Sequence, residues 1–313
     1  DPRYPSPASE PVLVAQGRLL DDALADLDDE RPSVTDLYFV GFAGDAHEDV
    51  FRKDVLAAQK VMDERWGTEG RSLLLINNKR TLLETPVATV TNLREALNEI
   101  GAAIDTEQDV VMIYLASHGG GGPVLEVSLP PLELAPLTAP ALRSLLDTAG
   151  IRWRIIVVSA CHSGGFVDEL KDDYTLVITA TAVDGAASGC GNRDDATTFG
   201  DALFQRFIRR LQAAVDEVAL ARRAAKVAGG VLLPLALDQL LVVTAAGIGE
   251  RTLAVEQVAP RLGDVQPGVD VAGGRAEADL HPTQCVDQRL EADEVDLDVM
   301  VHGNAERGLH RAH

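Results

Sequence analysis

The sequence predicts an α/β fold built on a mostly parallel sheet, and three observations carry that prediction. Five short apolar runs rich in β-branched and aromatic residues recur between positions 37 and 180. Stretches with helical spacing separate them. Each run is nearly continuous in apolar character rather than alternating, the pattern of strands covered on both faces by helices.

Residues 1–33 are Pro-rich and then acidic, and read as an N-terminal arm with one short helix at 19–27. The first strand is Leu37-Tyr38-Phe39-Val40-Gly41-Phe42. Helical spacing follows from Asp49 to Trp66, with Val50, Leu56, Val61 and Met62 among the apolar positions. The second strand is Ser72-Leu73-Leu74-Leu75-Ile76. Asn92 with Glu95 three residues on has the pattern of a capping pair, opening a helix through Leu93, Leu97 and Ile100. The third strand spans 110–116, and a helix at 139–148 carries Pro140 in its first turn. The fourth strand spans 153–159 and the fifth 176–180. A long helix at 199–227 shows Leu203, Phe204, Phe207, Ile208 and Leu211 on one apolar face.

Composition changes near Gly229. All 13 aromatic residues precede that point and no lysine follows Lys226. Aromatic side chains supply much of a core's area, so residues 229–313 read as an appendage to a domain at 34–228. A separate acidic segment, a regulatory tail and a tail translated from a shifted frame are the three origins the composition allows. The most apolar window, 231–248, is interrupted by Pro234, Asp238 and Gln239, which marks a buried element rather than a membrane span.

The 313 residues are 46% hydrophobic and 25% charged, as in an ordinary soluble globular protein. The net charge of −21 excludes nucleic acid and anionic membrane surfaces as partners, since both demand a basic footprint. Three cysteines, Cys161, Cys190 and Cys285, form neither a disulfide framework nor a zinc-binding pair. The tail histidines lack ligand spacing, so no metal and no other cofactor is expected. The chain starts at Asp1, consistent with a processed or truncated N-terminus.

Two stretches carry chemistry. Ser117-His118-Gly119 follows the third strand, and Ser159-Ala160-Cys161-His162-Ser163-Gly164-Gly165 closes the fourth. In open α/β sheets the functional crevice lies beyond the carboxyl ends of the strands. A thiol and an imidazole at neighbouring strand ends are the minimal machinery of a cysteine hydrolase. The glycines after Cys161 permit close approach of a substrate, and the helix they open favours a thiolate. The N–H groups of Gly119 and Cys161 are candidate oxyanion donors. His162 competes with His118, but neighbouring side chains on a turn diverge. His118-Gly119-Gly120-Gly121 also has the form of an esterase oxyanion loop, with Ser163 as nucleophile, yet the Gly-x-Ser-x-Gly elbow is missing.

These motifs resemble the legumain family of cysteine peptidases, within the wider group that includes caspases. The ordered set Ile113-Tyr114-Leu115-Ala116-Ser117-His118-Gly119 and Val157-Val158-Ser159-Ala160-Cys161 carries the likeness. Tyr38-Phe39-Val40-Gly41-Phe42-Ala43-Gly44-Asp45, Leu74-Leu75-Ile76-Asn77-Asn78, Gly150-Ile151-Arg152-Trp153-Arg154 and Phe199-Gly200-Asp201 extend it, closest to the bacterial branch.

The resemblance implies a caspase-like three-layer sandwich with a six-stranded sheet, and Cys161 and His118 at the strand ends. It implies an endopeptidase acting on peptide or protein substrates through a Cys161–His118 dyad after Asn or Asp. Arg52, Asp201 and Ser159 fall at its substrate-binding positions. Ser159 stands where the family has a glutamate, which removes a pocket carboxylate. The same dyad serves transamidases, and an inactive member would act as a binding module. The expected setting is the cytoplasm or periplasm of a bacterium, with no membrane span in the chain.

Overall fold

A computed structural model describes residues 3–187 and 194–209. Among these residues five parallel strands form the sheet, in the order β2-β1-β3-β6-β7. They are β1 (Leu37–Ala43), β2 (Ser72–Ile76), β3 (Val110–Ala116), β6 (Trp153–Ser159) and β7 (Thr175–Thr179). A two-stranded antiparallel ribbon, β4 (Val124–Leu125) with β5 (Leu137–Thr138), sits on the connection after β3. Parallel neighbours need crossover connections, and the helices supply them: α2 (Asp49–Trp66), α3 (Val90–Ala103), α4 (Ala139–Thr148) and α5 (Val167–Leu170).

The sheet is buried on both faces, which makes three layers. On one face Tyr38, Val40, Phe42, Ile113 and Val158 pack with Leu93 and Leu97 of α3, Leu142 and Leu146 of α4, and Leu170 of α5. On the other, Phe39, Met112, Tyr114 and Val157 pack with Phe51, Val55 and Met62 of α2 and with Leu203 and Phe204. This double burial is why each strand reads as an unbroken apolar run. Gly41 is central to β1 because a Cβ there would press on Leu74 and Val55, so α2 lies close to the sheet.

Three helices depart from the sequence expectation in where they start or end. The N-terminal helix α1 runs Glu10–Ala25, not 19–27; Pro11 occupies its first turn and Leu20 enters the core. Helix α3 is capped by Thr89, whose side chain accepts from the Asn92 N–H, while Asn92 itself donates to the Val87 carbonyl. The helix expected at 199–227 is described only to residue 209; it opens as α6 (Thr198–Gly200) and continues as a π-helix over Asp201–Ile208. The sixth strand, Cys190 and the whole 229–313 tail fall outside the described residues. Among the described residues no helix is long and apolar enough to cross a membrane.

Candidate active site

Neighbouring strands set the site. β3 and β6 pair in parallel with Ala116 opposite Ser159, and the Ser117 N–H extends the ladder to the Ser159 carbonyl. His118 and Cys161 each lie two residues past that last pair, so they leave the sheet in register, about 4.8 Å being the spacing of adjacent strands. The loops then touch. A Cβ on Gly119 would drive into the backbone carbonyl of Cys161, so only glycine lets the two strand ends approach this closely.

Both loops are held from outside. The His118 carbonyl accepts from the Glu126 N–H, and the Gly120 N–H donates to Val124, which docks the glycine loop on the β4–β5 ribbon. Phe51 of α2 stands edge-on to the His118 ring, with centroids 5.0 Å apart at 86°. Such aromatic contacts fix a ring's plane at little entropic cost. Ser117 and Ser159 are buried, whereas Cys161 and His118 are half-buried.

The turn after the cysteine is tight. His162 takes a left-handed conformation, φ 57°, its N–H donates to the Gly185 carbonyl, and its Nδ1 lies 3.3 Å from the Val183 carbonyl. Its ring is thus committed to the 183–185 loop. Ser163 is fully buried and bonded to Thr181, which closes the esterase reading. The helix expected after the glycines is short: one 3₁₀ turn, Ser163–Phe166, leads into the four residues of α5. A direct contact acts on the thiol instead, because the Ala187 N–H points at Cys161 Sγ from 3.2 Å. The N–H groups of Gly119 and Cys161 find no acceptor among the described residues.

A model of the Peptidase C13 family matches residues 91–231, which includes His118 and Cys161. Metacaspase-4 of Arabidopsis thaliana is 24% identical, over 52% of this chain and 39% of that protein. The chain thus spans about two fifths of the length of that curated relative. With the three-layer sheet, these matches support the caspase-like cysteine peptidase superfamily.

The expected substrate-binding residues lie around this rim without bonding one another. Arg52 makes a two-pronged pair with Asp49 at 2.8 and 3.0 Å, which raises its pKa. Burial works to raise Asp49, but Arg52, Arg80 and Asn78 hold it below the usual carboxylate range. Asp201 pairs with Arg206. Ser159 Oγ sits 3.1 Å from Thr197 Oγ1.

One group was invisible in the sequence. Asp54 of α2 is 1% exposed, and its Oδ2 accepts from Tyr114 Oη at 2.5 Å and Thr197 Oγ1 at 2.7 Å. Burial pushes its carboxyl up to about 6 against the pull of those two hydrogen bonds, and nearby Asp201 adds to the rise. Flanked by Arg52, Lys53 and Asp49, it reads as one more charge on a solvated helix face. Its helical neighbours Val50 at i−4, Phe51 at i−3 and Ala58 at i+4, all core residues, place it on the apolar stripe.

No group of three or more potential ligands could hold a metal among the described residues. A cleft of about 570 Å³ lined by Arg143, Arg152 and Arg154 lies near the start of β6, at the other end of the strands from Cys161.

Proposed function

We propose that this chain is a cysteine endopeptidase, of the bacterial legumain-like kind its motifs resemble, with Cys161 as nucleophile and His118 as general acid–base. The observation that carries the reading is the contact of Gly119 with the Cys161 backbone, at the in-register ends of neighbouring parallel strands. His118 takes the thiol proton, and the sulfur attacks the scissile carbonyl carbon. A C–S bond forms while the carbonyl π electrons move to oxygen. The N–H groups of Gly119 and Cys161, which have no acceptor among the described residues, receive that oxyanion. His118 returns its proton to the departing amine as the C–N bond breaks, and then takes a proton from the water that hydrolyses the thioester.

Arg52, Asp201 and Ser159 are proposed to line the pocket for the residue before the cleaved bond. An arginine and a carboxylate suit a side-chain amide, one donating to its oxygen and the other accepting from its NH₂. A substrate reaching Arg52 would compete with Asp49.

The test is labelling by Asn- and Asp-directed peptide electrophiles, with cleavage of matching peptides measured alongside. Wild type labels at Cys161, Cys161→Ala does not, and His118→Ala labels slowly. A folded wild-type protein that neither labels at Cys161 nor cleaves any peptide would overturn the proposal.

A further inference from the structure

Asp54 has no part in the chemistry above, yet it is a buried carboxylate on the helix that carries Arg52. Its two hydrogen bonds reach different elements. Tyr114 lies on β3, four residues before His118, and Thr197 is the N-cap of α6. Thr197 Oγ1 also receives the Gly200 N–H at 2.9 Å and stands 3.1 Å from Ser159 Oγ on β6, two residues before Cys161. Since its single proton goes to Asp54, Thr197 must accept from Ser159, and the hydroxyl groups of Tyr114, Thr197 and Ser159 all orient toward the one carboxylate.

The segment that returns to the site after β7 is therefore fastened from α2. Lys53, the preceding residue, donates to the Asp194 carbonyl at 2.8 Å and pairs with Asp195. Gly200 packs so close that a Cβ there would overlap the Asp54 carboxylate. Asp201 follows immediately. We propose that Asp54 is a positioning residue that anchors segment 194–201 to α2 through Thr197, and so sets the substrate pocket between Arg52 and Asp201.

The pocket role rests on the peptidase reading above; the anchoring does not. Tyr114, Thr197 and Ser159 face the carboxylate from β3, the return segment and β6. Asp201 is the nearby like charge, while Lys53 is spent on Asp194 and Asp195. With the group's pKa raised toward 6, the anchor loses its charge in mildly acidic solution.

The test uses the full chain and three variants. Asp54→Asn keeps an acceptor and removes the charge. Thr197→Val keeps the shape and removes the link, and Thr197→Ser restores it. Amide exchange in 194–201 should rise at least tenfold in Thr197→Val at pH 7 and return to wild-type rates in Thr197→Ser. Peptide KM should rise about tenfold in Thr197→Val, with kcat within threefold and alkylation of Cys161 by iodoacetamide unchanged. Wild-type KM should climb between pH 7 and 5, and Asp54→Asn should flatten that climb.

Unchanged exchange in folded Thr197→Val would overturn the anchoring. Increased exchange with unchanged KM would overturn the pocket role. A wild type that cleaves nothing would overturn the peptidase reading and the pocket role with it, while the exchange result would still decide the anchoring.

Discussion

Gly119→Ala is the sharpest perturbation of the site, because its obstacle is backbone rather than a flexible side chain. The added Cβ would lie 2.7 Å from the carbonyl carbon of Cys161 and 3.1 Å from its nitrogen, both well inside ordinary contact. Neither group can swing away, so the His118 loop and the Cys161 loop must part. Forcing an extra methyl into packed structure costs about 1–3 kcal/mol. Displacing one oxyanion donor costs roughly 10²–10³ in rate. Gly121, two residues on, is the internal control, since a Cβ there meets nothing within 4 Å. The assay is the second-order rate of Cys161 labelling by an Asn-directed peptide electrophile, read beside urea unfolding. Gly119→Ala should label about a hundredfold more slowly and unfold at lower urea, while Gly121→Ala stays within twofold of wild type. A folded Gly119→Ala that labels at the wild-type rate would refute the argument that the close approach of the loops builds the site.

Two further predictions concern buried carboxylates, with opposite signs. Asp54 has a raised folded pKa, so the folded state holds its proton more tightly than the unfolded chain. Its contribution is fully present below the ordinary value of 3.8 and is lost as pH rises through about 6. That difference is worth ~3 kcal/mol, so Asp54→Asn should raise urea stability at pH 7 relative to pH 4 by about that amount; an identical pH dependence in the variant would contradict it. Asp36 behaves in reverse. Burial works to raise it, but the Arg31 hydrogen bonds and the Arg71 charge hold it below the usual range. Its contribution is present at neutral pH and lost as pH falls through that lowered value. Asp36→Ala removes the buried counter-charge of Arg71, which is only 7% exposed and is left with the exposed Asp28 and the Asp29 carbonyl, and should cost about 3 kcal/mol at pH 7. A loss under 1 kcal/mol in thermal unfolding would count against this.

The sheet was legible because a strand buried on both faces leaves a run that no surface element imitates. β2, β3 and β6 begin and end where their apolar runs do, and β1 and β7 differ by one residue. The strand ends then located His118 and Cys161. The helix starts were harder, because a cap is chosen by backbone geometry among several polar candidates. Thr89 lies just outside the periodic pattern, while Asn92 and Glu95 look better by spacing alone. Two-residue strands such as β4 and β5 carry no period at all. Asp54 was hidden for a different reason. Its partners Tyr114 and Thr197 lie 60 and 143 positions away, so helical spacing puts the carboxylate on the apolar stripe but nothing local shows what satisfies it there. The Asp49–Arg52 pair, three residues apart on one helix, was within reach of the sequence but is indistinguishable there from a surface ion pair.

The pairing of β3 with β6 also has a consequence in time. The two strands lie on opposite sides of the β4–β5 ribbon and α4 in the chain, so they meet only after a long loop has closed. Contacts of that kind form late and slowly. Until they form, Gly119 has no Cys161 backbone to rest on, and thiol and imidazole are strangers on one flexible strand. The rate at which Cys161 gains reactivity toward a peptide electrophile would then serve as a clock for completion of the sheet's centre.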